Sequence, residues 1–111
     1  MPAGPRLYSY TQIMAQLISV VAEIKAKPGK EEELRKALLA LVEPTRKEEG
    51  FVQYDLHVHT EDPGRFVFYE NWVSLEHLER HRAAPHLLAF RTAAGDLVAE
   101  PPRVETYWRI S

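Results

Sequence analysis

Gly50–Ser74 reads GFVQYDLHVHTEDPGRFVFYENWVS, and how it folds decides the architecture of the whole chain. Phe51 to Thr60 and Arg65 to Val73 each alternate along their length and are rich in β-branched and aromatic residues, the pattern of extended strands. Between them, Glu61-Asp62-Pro63-Gly64 has the composition of a turn. The stretch is therefore expected to be a hairpin. With a four-residue loop Thr60 faces Arg65, and one face carries Val52, Tyr54, Leu56, Val58, Val67, Tyr69, Asn71 and Val73. The other carries Phe51, Gln53, Asp55, His57, His59, Phe66, Phe68, Glu70 and Trp72. The first set reads as packing surface, with Tyr54 opposite Asn71. The second mixes aromatic walls with titratable groups, as a pocket for a flat, polar-edged organic molecule requires.

Outward from the hairpin, Leu17 to Ala26 (LISVVAEIKA) has the period of a strand. Lys27-Pro28-Gly29 breaks it, and three acids, Glu31 to Glu33, suit the positive end of a helix dipole. That helix runs toward Gly50, with Pro44 kinking it or ending its regular part. Downstream, Ser74 is the expected N-cap of a helix through about Arg82, and Pro85 opens a second that stops near Gly95. Pro101 and Pro102 precede a last strand, Arg103 to Ile110. The order strand, helix, strand, strand, broken helix, strand predicts an α+β fold: a ferredoxin-like four-stranded antiparallel sheet with helices on one face. Both alternating sets of the hairpin hold large apolar residues, so the open face also wants cover, which a homodimer of face-to-face sheets would supply. Residues 1–16 read as an N-terminal extension and residues 17–111 as one domain.

The 111 residues carry 14 Lys and Arg against 16 Asp and Glu, a formal net charge of -2, without a concentrated basic run. Nucleic acid is not an expected partner, because phosphate binding needs a cationic face. With no cysteine, disulfides, thiolate metal sites and cysteine nucleophiles are excluded, which fits a cytoplasmic protein. No stretch approaches the roughly 20 apolar residues that cross a bilayer, and the N-terminus has no basic region leading into an apolar signal core.

Helical spacing puts His77 and His81 on one side of their helix, with His86 entering from the next. Glu70 beside an imidazole would be a proton-handling pair, the carboxylate fixing the tautomer and raising the basicity of the ring. A buried hydrogen-bonded link between sheet and helix is the alternative reading of the same pair. Trp72, Phe68 and Phe90 are expected in the core. His57-x-His59 and His77-x-x-x-His81, with Asp55 or Glu70, have spacings that can bind zinc or iron, but short spacings recur by chance and no dedicated metal site is assigned. Nucleophile elbow, phosphate loop and dinucleotide fingerprint are all missing.

VVAEIKAKPGKEEEL from Val20, Pro44 followed by Glu48 to Gly50, FVFYENW at Phe66 to Trp72, and the His81-x4-His86 pair together resemble the antibiotic biosynthesis monooxygenase family over about Leu17 to Ile110. The resemblance implies a dimeric α+β barrel, and oxidation of an electron-rich aromatic, a hydroquinone or polyketide phenol, by molecular oxygen without metal or flavin. It implies His81, or less readily His86, as base, Glu70 as its orienter, Asn71 binding a substrate oxygen, and Trp72, Phe68 and Phe90 as walls. Two alternatives stay open: a haem-degrading or haem-binding barrel with His81 on iron and Trp72 against the ring, and a non-catalytic ligand-binding or stress-response dimer.

Overall fold

The computed structural model describes residues 17–111, and the expected extension over residues 1–16 lies outside them. Strands β1 (Ile18–Lys25), β2 (Phe51–Val58), β3 (Arg65–Trp72) and β4 (Arg103–Trp108) form one antiparallel sheet in the order β2-β3-β1-β4. Helices α1 (Glu31–Leu39), α2 (Val42–Arg46), α3 (Leu75–Arg82) and α4 (Pro85–Ala94) complete the ferredoxin-like arrangement.

Local chemistry sets the boundaries. Lys27-Pro28-Gly29-Lys30 closes with Lys30 N–H donating to Lys27 C=O at 2.9 Å, Gly29 taking φ 85°, the conformation that a turn with proline second and glycine third requires. The expected single helix from Glu31 is split at Ala40. Pro44 has no N–H for the Ala40 carbonyl and its ring would collide with that group, so α1 stops at Leu39 and α2 restarts with the proline inside its first turn. Ser74 caps α3, its hydroxyl accepting from the His77 N–H at 3.2 Å. Pro85 occupies the first turn of α4, where a missing N–H costs nothing.

The hairpin register differs from the expectation by one residue. Tyr54 pairs with Glu70, Leu56 with Phe68 and Val58 with Phe66, so the loop has five residues, Thr60 to Gly64. His59 decides this: its N–H donates to Arg65 C=O at 2.8 Å while its ring Nδ1 accepts from the Glu61 and Asp62 N–H groups at 3.0 and 3.1 Å. A bulge between Phe51 and Gln53 shifts the register once more, so that Phe51 pairs with Trp72. Tyr54, Leu56, Phe66, Phe68, Glu70 and Trp72 therefore share the helix-covered face. Asn71, Gln53, Asp55 and His57 share the other, and Tyr54 is not the neighbour of Asn71.

The core lies between the helices and that covered face, where Ile18, Val20 and Ile24 of β1 and Leu34, Leu38 and Leu78 of the helices meet Tyr54, Phe66, Phe68 and Trp72. Each such side chain contributes about 1.5–3 kcal/mol by leaving water. β4 is exposed along its whole length.

Candidate active site

Three elements bring a carboxylate and two imidazoles together. α3 aims His81 back toward the sheet, the first turn of α4 carries His86, and the turn after α2 delivers Glu48 between them. His81 Nδ1 lies 2.7 Å from Glu48 Oε2, and His86 Nε2 lies 3.0 Å from the same oxygen and 3.0 Å from Thr45 Oγ1. Gly50 makes the turn possible: its φ of 82° is left-handed, and any Cβ there would strike the His77 ring.

From the sheet side, Glu70 Oε1 accepts from Trp72 Nε1–H at 2.9 Å and stands 3.9 Å from His81 Nε2. Trp72, with no exposed surface, lies against the His81 ring at 4.5 Å between centroids, and the Tyr54 ring meets His81 edge-on at 5.3 Å. A carboxylate at 2.7 Å from Nδ1 assigns the proton to that nitrogen, which leaves the Nε2 lone pair on the side of Glu70.

A cavity of about 150 Å³ opens beside this pair, lined by His81, Glu70, Tyr54, Phe68 and Phe90, with Arg82 and Arg91 also at its wall. Burial, partly opposed by the Trp72 donor and the Arg82 charge, pushes the Glu70 carboxyl up to about 7 from 4.5. Burial also lowers His81 below its usual range, the Glu48 contact pulling the other way. Desolvation, then the neighbouring Glu70, drives the Tyr54 phenol far above its ordinary value. A group that resists protonation thus sits beside one that holds its proton toward neutrality, the division an acid and a base need at one site.

Glu48, His81 and His86 offer donor atoms all within 4.8 Å of one another, a set able to hold a divalent ion. As they stand, their contacts at 2.7 and 3.0 Å are proton-sharing, and an ion would have to displace those protons. The spacings considered from the sequence do not form this cluster. His59 Nδ1 belongs to the hairpin loop, and His77 Nδ1 lies 2.7 Å from Ser74 Oγ.

Of the residues expected at the site, His81, Glu70, Phe68 and Phe90 border the cavity. Trp72 stands behind His81, and His86 reaches it through Glu48. The expectation that Glu70 orients His81 changes: Glu48 holds the ring, and Glu70 faces its other nitrogen at 3.9 Å. His57 and Asn71 lie across the sheet. Asn71 there accepts from Ser19 Oγ at 2.5 Å and donates to Gln53 Oε1 at 2.8 Å, while His57 is exposed. Sequence reasoning missed Glu48, one of two adjacent glutamates in Glu48-Glu49-Gly50. The signal was the pair His81-x4-His86, two imidazoles in need of one acceptor.

The family described as antibiotic biosynthesis monooxygenase matches residues 17–93. "Putative monooxygenase Rv0793" of Mycobacterium tuberculosis is 35% identical over 91 residues, 82% of this chain and 89% of that protein. "Probable quinol monooxygenase YgiN" of Escherichia coli is 34% identical, over 74% of this chain and 89% of that protein. The crystal structure of PA3566 from Pseudomonas aeruginosa superposes with a TM-score of 0.83 at 35% identity, over 88% of this chain and 98% of that one. A matched segment running from β1 through nearly all of α4, with the fold shared to this degree, makes the chain a member of the antibiotic biosynthesis monooxygenase family.

Proposed function

We propose that this chain is a cofactor-independent monooxygenase that oxidises an electron-rich aromatic, a hydroquinone or phenol, with molecular oxygen. The observation that carries the reading is the His81 ring, held at Nδ1 by Glu48 with Nε2 free on the Glu70 side of an aromatic-walled cavity. In this scheme His81 Nε2 takes the proton of a ring hydroxyl. The resulting phenolate passes one electron to dioxygen, and the radical pair recombines on ring carbon. A hydroquinone and O2 become a hydroxyquinone and water: one oxygen atom enters as the new ring hydroxyl and the other leaves as water, and one ring hydrogen and the two hydroxyl protons supply the two hydrogens of water and the one on that new hydroxyl. Phe68, Phe90 and Tyr54 hold the ring and keep water out; Glu70, protonated near neutrality, is the group able to return a proton to the reduced oxygen. Neither His57 nor Asn71 has a part in it.

The same reading takes the open sheet face as the contact with a second copy. β4 is exposed on both sides, and Tyr69 of β3 and Tyr107 of β4 are exposed on that face; light scattering on the purified chain tests this, a monomer counting against it. A haem-degrading function is disfavoured by size, since a cavity of about 150 Å³ is of the order that holds a single benzene-sized ring and not a tetrapyrrole. No helix among the described residues is long and apolar enough to cross a membrane.

The deciding experiment is oxygen uptake with a panel of hydroquinones, with and without a chelator, for the unaltered protein and His81→Ala. Chelator-insensitive turnover that needs His81 is expected. Absence of turnover on every quinol would leave a non-catalytic binding protein.

A further inference from the structure

Two guanidinium groups stand at the wall of the cavity, and they are not equivalent. Arg82, half-buried at the end of α3, is tied to Glu79 at 3.0 Å, and its charge acts on both Glu70 and His81. Arg91, on α4, is exposed, so its charge meets solvent at the cavity wall. Among the described residues Arg46, Arg80, Arg82 and Arg103 pair with carboxylates, whereas Arg91 has no such partner. Leu87, one turn before it, and Phe90, its immediate neighbour in sequence, line the same cavity. The cavity therefore combines an imidazole lone pair, aromatic walls and, at Arg91, a solvent-exposed cation with no carboxylate partner among the described residues.

We infer that the ligand of this cavity is a single-ringed phenol or hydroquinone bearing a carboxylate on the edge remote from the reacting hydroxyl, and that Arg91 receives that carboxylate. The volume of about 150 Å³ suits one ring, and Arg91 is the exposed guanidinium among the residues that line it. A planar guanidinium takes a carboxylate through two parallel hydrogen bonds, which fixes the ring's direction as well as its affinity. The choice of a hydroxyl at the inner end rests on the oxidation reading above; the charge preference does not.

Anaerobic calorimetry with 4-hydroxybenzoate and its neutral counterpart 4-hydroxybenzamide tests this without turnover. The unaltered protein is expected to bind the acid about tenfold more tightly than the amide, the ratio a charge-assisted pair supports. Arg91→Gln should bring the two affinities together by weakening the acid alone, and Arg91→Lys should retain part of the preference. Equal binding of acid and amide, binding of neither, or a preference that survives Arg91→Gln overturns the inference, as does a preference abolished only by Arg82→Gln. Oxygen uptake separates the two proposals. Turnover of neutral hydroquinone with no acid preference defeats this one and leaves the oxidation standing; an Arg91-dependent preference with no oxygen uptake on any quinol does the reverse.

Discussion

Glu70 and Asn71 are neighbours in β3 and live in different chemistry. Glu70 faces the helices, where Trp72 donates to it, His81 stands 3.9 Å away and burial pushes its carboxyl toward neutrality. Asn71 faces the open side, in a chain of short polar contacts that runs from Ser19 through Asn71, Gln53 and Asp55 to Arg46. Asp55, the acid of that chain, is held below its ordinary pKa by its Gln53 and Arg46 partners. The same strands thus make a dry face, where a carboxyl keeps its proton, and a wet one, where a carboxyl gives it up. Only the first can do acid–base work near neutral pH without being screened by solvent.

The contrast is sharpest at His81. His81→Ala removes the one imidazole lone pair turned into the cavity and is expected to lower kcat/KM by about 10²–10⁴. Imidazole added to the buffer should restore part of the loss if the missing group is a base; oxygen uptake measures both. Unaltered turnover in this variant would end the claim that the covered face is the reactive one.

Glu70→Gln comes next and is read as stability against pH. The native carboxyl titrates at about 7 against 4.5 when unperturbed. The folded state therefore keeps a proton that the unfolded chain releases. The stabilising contribution of protonated Glu70 is complete below pH 4.5 and is lost as pH rises toward 7, by an amount on the order of 3 kcal/mol. Glutamine keeps an acceptor for Trp72 and cannot titrate. The variant should match the unaltered protein near pH 4.5 and exceed its stability at pH 8. His81, lowered by burial, contributes in the opposite sense below pH 6.5 and is common to both proteins. Urea midpoints across this range check the prediction, and parallel curves would contradict it.

How much of this was legible depended on whether a feature repeats. The strands and helices announce themselves by period, and the covered face could be read because Phe68, Glu70 and Trp72 alternate whatever the register. The pairing across the hairpin could not be read, because Glu61-Asp62-Pro63-Gly64 has the composition of a four-residue turn and nothing local says that the His59 ring will cap a longer one. That single residue moved Tyr54 onto the covered face and left His57 and Asn71 on the other. Glu48 was hidden for a related reason. Glu48 and Glu49 differ in sequence only by position, and which one turns inward is settled by the left-handed Gly50 and the end of α2. Helix and sheet positions follow from repetition; the residue that holds the base follows from a turn.

Glu48→Gln tests that hidden residue. Its carboxylate raises the basicity of His81 against the effect of burial, so its loss should move the acidic limb of kcat/KM to lower pH. Turnover at neutral pH should fall about tenfold, since the ring loses both its charge partner and its fixed tautomer. A limb that moves upward would mean that Glu48 does not act through His81.

The smallest effect is expected across the sheet. His57 is exposed on the open face of β2, opposite Val67, and its ring is separated from His81 by the full thickness of the sheet. His57→Ala should leave kcat/KM within about twofold and stability within about 0.5 kcal/mol, as at other solvated positions. Steady-state oxygen uptake and a urea titration suffice to check it. A tenfold loss of turnover with unchanged stability would break the division between dry and wet faces, because an open-face residue can influence the chemistry only if the second copy proposed for that face brings it to a site in its partner.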